Sequence, residues 1–417
     1  MADNPPPVQR ELEVTESDVS SGQGQVPAAA PLSEDPSRRP GGRSNTDTPR
    51  AGAVATGWQS DSASGSAEGA NRNIPFHRQA FAAIDLGTNN CRLLIARPAG
   101  DHFTVIDAFS RVVRLGEGLA QSGRLSDAAM ERTLGALKVC ADKLQRRNVH
   151  LARSVATEAC RRAVNGGEFI ARVAQETGIL LDIISAKEEA RLAVMGCHLL
   201  LEEGDGPAII FDIGGGSTEL VLVENRAGMP PQIHDWQSVP WGVVSLTESC
   251  PPEPADALGR AVRYDLMCQL VRDSLAPFAE RMRDAVAKVA PGEALRLLGT
   301  SGTVTTLASL HLGLPQYDRQ AVDGLIMSSG EMSQLCHRLA LMSPAERCAQ
   351  PCIGRERADL VVAGCAILQT IFALWPADRL GVADRGIREG ILRSMMAAGG
   401  AGDKSRAALR NARRGQI

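Results

Sequence analysis

Hydrophobic positions change period along the chain, and those changes mark out its elements. Residues 81–85 (Phe-Ala-Ala-Ile-Asp) and 91–96 are apolar runs of strand length around a turn at 86–90, and 102–109 makes a third strand. Ser126 stands as the N-cap of a helix to about Arg147, with apolar residues at 130, 134, 137, 141 and 144. Strands at 151–156 and 179–184 enclose helical stretches at 157–164 and 167–177, and a long helix runs over 186–201. The pattern then restarts. Strands at 208–213, 217–224 and 232–239 precede a helix over 255–289. A strand at 295–298 runs into Gly299-Thr-Ser-Gly-Thr303 and a helix; helices at 328–341 and 356–373, a strand at 379–383 and a last helix at 387–396 follow.

The two halves thus share one order of elements, and their sharpest match is local. Asp85-Leu-Gly87-Thr-Asn-Asn-Cys-Arg-Leu93 aligns with Asp212-Ile-Gly214-Gly-Gly-Ser-Thr-Glu-Leu220, with aspartate, glycine and leucine at equal offsets. A period near 127 residues is too long for a solenoid and implies two similar domains. Each match reads as a strand–Asp–turn–strand hairpin. An aspartate before such a turn can hold a cation, and glycine amides with no Cβ in the way can cradle a phosphate. Taken singly, either hairpin is equally well an ordinary buried hairpin with a glycine-rich turn. Facing each other, the two would build a phosphate-binding cleft between domains.

Composition narrows this picture by exclusion. The chain has 417 residues, room for two domains, and a net charge of −3, so no basic field points to nucleic acid. The longest apolar run, 361–375, is broken by Gly364, Gln369 and Thr370 and is too short for a bilayer, so a membrane role is not expected. Ten scattered cysteines without a paired CxxC argue against a zinc site; Cys348 and Cys352 are the closest pair and leave a redox or metal role as the minor reading. With no signal-peptide pattern at the N-terminus, they suit a reducing, cytoplasmic setting. Residues 1–78, rich in Pro, Gly, Ser, Asp and Ala, are expected to be a disordered extension, and 398–417 a flexible basic tail.

Six stretches in order carry a family resemblance: Ala83-Ile-Asp-Leu-Gly-Thr-Asn89, Arg114-Leu-Gly-Glu-Gly-Leu119, Ser185-Ala-Lys-Glu-Glu-Ala-Arg191, Phe211-Asp-Ile-Gly-Gly-Gly-Ser-Thr-Glu219, Gly299-Thr-Ser-Gly-Thr303 and Ala383-Asp-Arg-Gly-Ile-Arg-Glu-Gly390. Over about residues 80–396 the chain resembles the exopolyphosphatase and guanosine-pentaphosphate phosphohydrolase (Ppx/GppA) family, within the acetate/sugar kinase, Hsp70 and actin superfamily. The resemblance implies an α/β fold of two duplicated ribonuclease-H-like (actin-like ATPase) domains, at 79–204 and 205–397. Their mixed sheets are flanked by helices, the last helix can pack back on the first domain, and the active site lies in the interdomain cleft. The chain ends soon after the second half, which places it with the short, two-domain members.

The implied activity is Mg²⁺-dependent release of terminal orthophosphate from polyphosphate, with guanosine pentaphosphate (pppGpp) as second candidate substrate. By resemblance Glu189 is the general base; from the residues alone it is a surface acid in a first helical turn, favoured there by the macrodipole. Arg161 matches an arginine that contacts the phosphate chain. Gly87, Thr88, Asn89, Asn90, Gly214, Gly215, Gly216 and Ser217 offer amides and hydroxyls to phosphate, and Thr300, Ser301 and Gly302 form a third turn at a helix N-terminus. Asp85 and Asp212 are the candidate Mg²⁺ ligands, with Glu219 acting on metal or water. Arg114 and Glu117 could order a loop at the cleft mouth. Glu158 replaces a residue that is often small in the family, and Asn90 a usual serine; both bear on substrate preference. A homodimer is compatible with the resemblance. The competing readings are an ATP-dependent small-molecule kinase of the same superfamily and a non-catalytic polyphosphate- or alarmone-binding protein.

Overall fold

A computed structural model describes residues 75–100, 102–204, 206–225, 231–287 and 295–399. The expected extension and basic tail lie outside these residues except at 75–78 and 398–399, and there the structure continues further than expected. Phe76–Arg78 forms a 3-10 turn, with the Phe76 ring edge-on to Phe81 at 5.6 Å, and the last helix runs over 387–399. The Phe76 ring is half-buried and packs against the cluster to which Phe81 belongs.

Two mixed sheets carry the fold. The first comprises β1 (Ala80–Leu86), β2 (Asn90–Ala99), β3 (His102–Val112), β4 (Val149–Ala156) and β5 (Leu181–Ile183), in the order β3-β2-β1-β4-β5. The second comprises β6 (Gly206–Ile213), β7 (Thr218–Asn225), β8 (Gln232–Val239), β9 (Arg296–Thr300), β10 (Ile326–Ser328) and β11 (Arg379–Ala383). Its order, β8-β7-β6-β9-β11-β10, repeats the first sheet and adds one antiparallel edge strand. In both, the first three strands are antiparallel and the next two parallel to the first. The duplication expected from the hairpins therefore extends to the whole topology, that of a two-domain actin-like fold.

Strand alternation decides what meets what. Ala80, Ala82, Ile84 and Leu86 of β1 face outward onto the helices Asp127–Arg146 and Gly166–Thr177. Phe81 and Ala83 face inward, onto Leu192 and Ala193 of the helix Ala186–Cys197 and onto Ile387, Ile391 and Leu392 of the last helix. In β6, Ile209, Phe211 and Ile213 pack outward with Met267 and Val271 of the helix Ala257–Val286, and with the apolar helix Val361–Leu374. Ala208 and Ile210 face inward onto Ala190, Val194 and Cys197. The helix Ala186–Cys197 is thus shared by both inner faces. Continuing the same period, Asp85 and Asp212 fall on those inner faces.

That shared helix crosses the last helix with backbones touching. A Cβ at Gly196 would run into the Gly386 carbonyl, and one at Gly390 into the Leu192 carbonyl. Neither obstacle is a flexible side chain. Gly390→Ala is therefore expected to cost at least ~1–3 kcal/mol of stability. Thermal unfolding checks this; an unchanged midpoint would mean that the helices do not approach so closely.

Some boundaries differ from expectation. The helix predicted over 186–201 ends at Cys197 and tightens into a 3-10 turn, His198–Leu200. The helix predicted from 356 begins at Val361, because 355–360 is held in turns by tertiary contacts: Arg357 donates to Thr306 Oγ1 at 3.2 Å, while Arg114 reaches the Glu356 carbonyl and Asp359. The helix Val243–Ser249 and the strand β10 escaped the sequence reading. The helix is rich in β-branched residues, and its first amides, those of Val243 and Val244, donate to the carbonyls of Gly214 and Gly215. β10 has three residues, too few to show a period.

Candidate active site

The two Asp hairpins turn in the same way. In the first, Gly87 N–H donates to the Asn90 carbonyl (2.9 Å); in the second, Gly214 N–H donates to the Ser217 carbonyl (3.0 Å). The turns also touch. A Cβ on Gly215 would stand 3.0 Å from the Asn89 nitrogen, and one on Gly216 2.6 Å from Thr88 Oγ1. At Gly215 glycine allows close approach of backbone to backbone, and at Gly216 it leaves room for the Thr88 and Glu158 side chains. Gly242 backs the second turn, since a Cβ there would strike Gly215 and Gly216. Gly242→Val should push that turn into the cleft, lowering any cleft-borne activity by about tenfold or more. Comparing turnover and ligand binding in the variant tests this; wild-type values for both would sink it.

Between the hairpins lies a cleft of about 940 Å³, open solvent at its mouth included. Its wall brings together Asp85, Gly87, Thr88, Asn89, Asn90, Glu189, Asp212, Gly214, Gly215, Gly216, Ser217, Glu219, Ser301 and Gly302, all candidates from sequence. Asn89 Oδ1 is buried there without a hydrogen-bond partner among the described residues. Ser301 is held at φ +84°, a strained conformation for a residue with a Cβ, with its hydroxyl on the Ile213 carbonyl (2.9 Å). This strained turn aims the N-terminus of the helix Gly302–His311 at the cleft.

Two candidates are not on that wall. Thr300 donates its hydroxyl to the Arg385 carbonyl (2.7 Å) and lines a small void behind Asp85 and Asp212. Arg161 is taken up by neighbours: Nη1 reaches the Ile184 carbonyl (2.8 Å) and Glu189 Oε2 (3.0 Å), and Nε reaches Glu158 Oε2 (3.0 Å). Of the two residues expected to order a loop at the mouth, neither lines the cleft: Arg114, at φ +47°, contacts the Glu356 carbonyl (3.2 Å) and Asp359 (3.6 Å), while Glu117 pairs with Arg132 (2.6 Å).

The acids of the cleft share one electrostatic condition. Glu189, 7% exposed, is raised well above the usual carboxylate range by burial and then by Glu219, with Arg161 opposing. Burial and Asp212 push Glu219 up to about 7, against hydroxyl donors from Ser217 (2.7 Å) and Ser238 (2.9 Å). Asp212 is raised to about 6 by burial, with Arg92 opposing and Asp85 adding to it; Asp85 is raised by burial against Arg92 and Arg388. Four acids with disfavoured charge call for an added cation. Among the described residues no three such side chains cluster as a direct metal cage. Mg²⁺ needs only one or two carboxylates and keeps its waters, so Asp85 and Asp212 fit it. Glu188 has the opposite environment: bonds from Arg191 (2.7 Å) and Arg153 (3.0 Å) lower it.

Two cleft arginines escaped the sequence reading. Arg92 pairs across the first hairpin with Asp85, as Glu219 does with Asp212 in the second. The equal offset that exposed Glu219 was the signal for Arg92. Arg357 arrives on the 355–360 turns, and no spacing marks it; burial and then Arg92 lower it from the usual arginine range.

Residues 94–398 match the model of the Ppx/GppA phosphatase family. "Exopolyphosphatase 2" of Mycobacterium tuberculosis is 31% identical over 331 residues, covering 75% of this chain and 98% of that protein. Among solved structures, an exopolyphosphatase from Cytophaga hutchinsonii superposes with a TM-score of 0.67 at 25% identity, over 77% of this chain and 98% of its own. The Aquifex aeolicus member of the Ppx/GppA family does so with a TM-score of 0.60 at 28% identity, over 77% and 98%. Among the described residues no helix is long and apolar enough to cross a membrane.

Proposed function

The chain belongs to the Ppx/GppA phosphatase family, and from that premise we propose that it is a Mg²⁺-dependent phosphohydrolase releasing terminal orthophosphate from inorganic polyphosphate. The observation that carries this reading is Glu189: a buried carboxylate of raised pKa opening onto the same cavity as three amide-rich turns.

In this reading Glu189 takes a proton from a water as that water attacks the terminal phosphorus. The bond from phosphorus to the bridging oxygen breaks, and the shortened chain leaves with the electron pair. The Gly87 and Gly214 amides close their own turns, so it is the other amides of 87–90 and 214–217, with the helix start at Gly302, that are offered to the phosphoryl oxygens. Arg92 and Arg357, on the same wall, supply positive charge where negative charge builds up on the phosphate oxygens. Asp85 and Asp212 would hold Mg²⁺, with Glu219 ordering a water of its shell, and the ion would neutralise phosphate charge.

Polyphosphate ranks ahead of pppGpp because, among the described residues, no aromatic ring lines the cleft to stack on guanine. The deciding experiment measures phosphate release from both substrates with and without Mg²⁺. Release that requires Mg²⁺ and no acceptor supports the proposal. Binding without release would favour the non-catalytic reading, and acceptor-dependent ATP consumption the kinase.

The pH profile has a definite sign. Glu189 must be ionised to accept a proton, and its pKa lies above the usual 4.5. Turnover should therefore fall as pH drops through a value well above 4.5, as kcat measured at saturating Mg²⁺ would show. An acid limb at or below 4.5 would contradict that environment.

A further inference from the structure

Among the charged residues of the cleft wall, Glu158 is the one for which the hydrolytic reading provides no duty. We propose that it is a specificity-determining residue, a built-in counter-anion on Arg161 that a substrate phosphate must displace. The inference rests on the polyphosphate reading for its substrate class, and on local geometry for everything else.

Position comes first. Glu158 lines the cleft and Arg161 does not, so the acid stands between the arginine and any ligand. Glu158 Oε2 accepts from both Nε and Nη2 of Arg161, at 3.0 and 2.5 Å. With Nη1 on the Ile184 carbonyl and Glu189, one of the five guanidinium N–H groups is left for a phosphate. The arrangement is confined. The Glu158 side chain is 12% exposed, and a Cβ on Gly216 would come within 3.0 Å of its Cγ. A carboxylate is therefore parked against a turn whose amides otherwise suit an anion. Arg162, at 3.8 Å from the other oxygen, is too far for a hydrogen bond and does not release the first pair.

Such a device selects by total charge and by the number of contacts a ligand makes elsewhere in the cleft. An incoming group must outcompete a carboxylate already seated at Arg161. A polyanion with several phosphates can do so, whereas orthophosphate, the product, competes poorly. Glu158 thereby weakens binding of substrate and product alike, and weakens product more.

The test compares wild type, Glu158→Gln and Glu158→Asp. Glutamine keeps the shape and removes the charge, so KM for tripolyphosphate should fall roughly fivefold and inhibition by orthophosphate should tighten at least as much. The gain should appear in KM rather than in kcat, and grow smaller as salt is raised. Glu158→Asp keeps the charge and should restore most of the wild-type KM. An unchanged or higher KM in Glu158→Gln overturns the proposal. So does a loss confined to kcat, since that would make Glu158 a brace for Arg161 and Glu189. Tripolyphosphate binding needs no turnover when calorimetry compares Glu189→Ala alone with the double variant Glu158→Gln/Glu189→Ala. The double variant should bind tighter. If wild type releases no phosphate, the hydrolytic reading fails, and the calorimetric comparison still decides the counter-anion.

Discussion

Glu189→Ala is expected to lower kcat for phosphate release by about 10²–10⁴-fold, the usual worth of a general base. KM should change little or fall, because the substitution removes negative charge from a cleft that binds polyanions. The fold should survive. Arg161 keeps its bonds to Glu158 and to the Ile184 carbonyl when Glu189 is gone. Ser185 continues to cap the helix through the Glu188 amide. Glu189→Gln should be as inactive as alanine, since an amide fills the space and cannot take the proton. Steady-state kinetics beside a melting curve separates chemistry from stability. Full activity in either variant would move the base elsewhere, with Glu219, raised to about 7 and on the same wall, the next candidate.

Asp212→Asn should produce two opposite effects, a loss of activity and a gain in metal-free stability. If Asp212 holds Mg²⁺, kcat/KM should fall roughly 100-fold or more and the Mg²⁺ needed for half-maximal rate should rise. The stability effect follows from linkage. Folding raises Asp212 from 3.8 to about 6, so between those values the folded state binds more proton than the unfolded one. Stability contributed by the neutral form is therefore lost as pH rises toward 6, and above 6 the folded state carries the full cost of the buried charge. Asparagine avoids that cost. In chelator at about pH 8 the variant should melt roughly 3 °C above wild type. The difference should shrink as pH falls through 6 and vanish below 3.8. Saturating Mg²⁺ should stabilise wild type more than the variant. A variant that melts lower than wild type under the same alkaline, chelated conditions would show that the carboxylate is needed structurally.

The acidic half of this site was legible because duplication wrote it twice. Asp85 and Asp212, with the glycines after them, stand at equal offsets, and strand alternation alone puts both on inner faces. Glu189 was legible only through resemblance, since in sequence it is one of two adjacent glutamates. Burial separates them in the structure: Glu188 lies with Arg153 and Arg191, while Glu189 turns inward. Arg357 was illegible for a different reason. Its place depends on turns fixed by Arg114 from the other half of the chain, 242 residues away from the Glu356 carbonyl it contacts. Local propensity read that stretch as helix. Half of the engagement of Arg161 was local, since Glu158 precedes it by three residues on the same helix; the other half was hidden, because Glu189 reaches it from a different helix.

The crossing of the last helix over Ala186–Cys197 also sets a schedule for biosynthesis. The first sheet and its central helix are complete by Cys197, yet Ile387, Ile391 and Leu392, which cover Phe81 and Leu94, belong to residues made much later. At ordinary translation speeds the roughly 190 intervening residues take about 10–40 s to emerge. Through that interval the earlier-made lobe waits with one apolar face partly bare. Its dependence on chaperones during translation, and the fate of chains interrupted before residue 387, should follow from that exposed face.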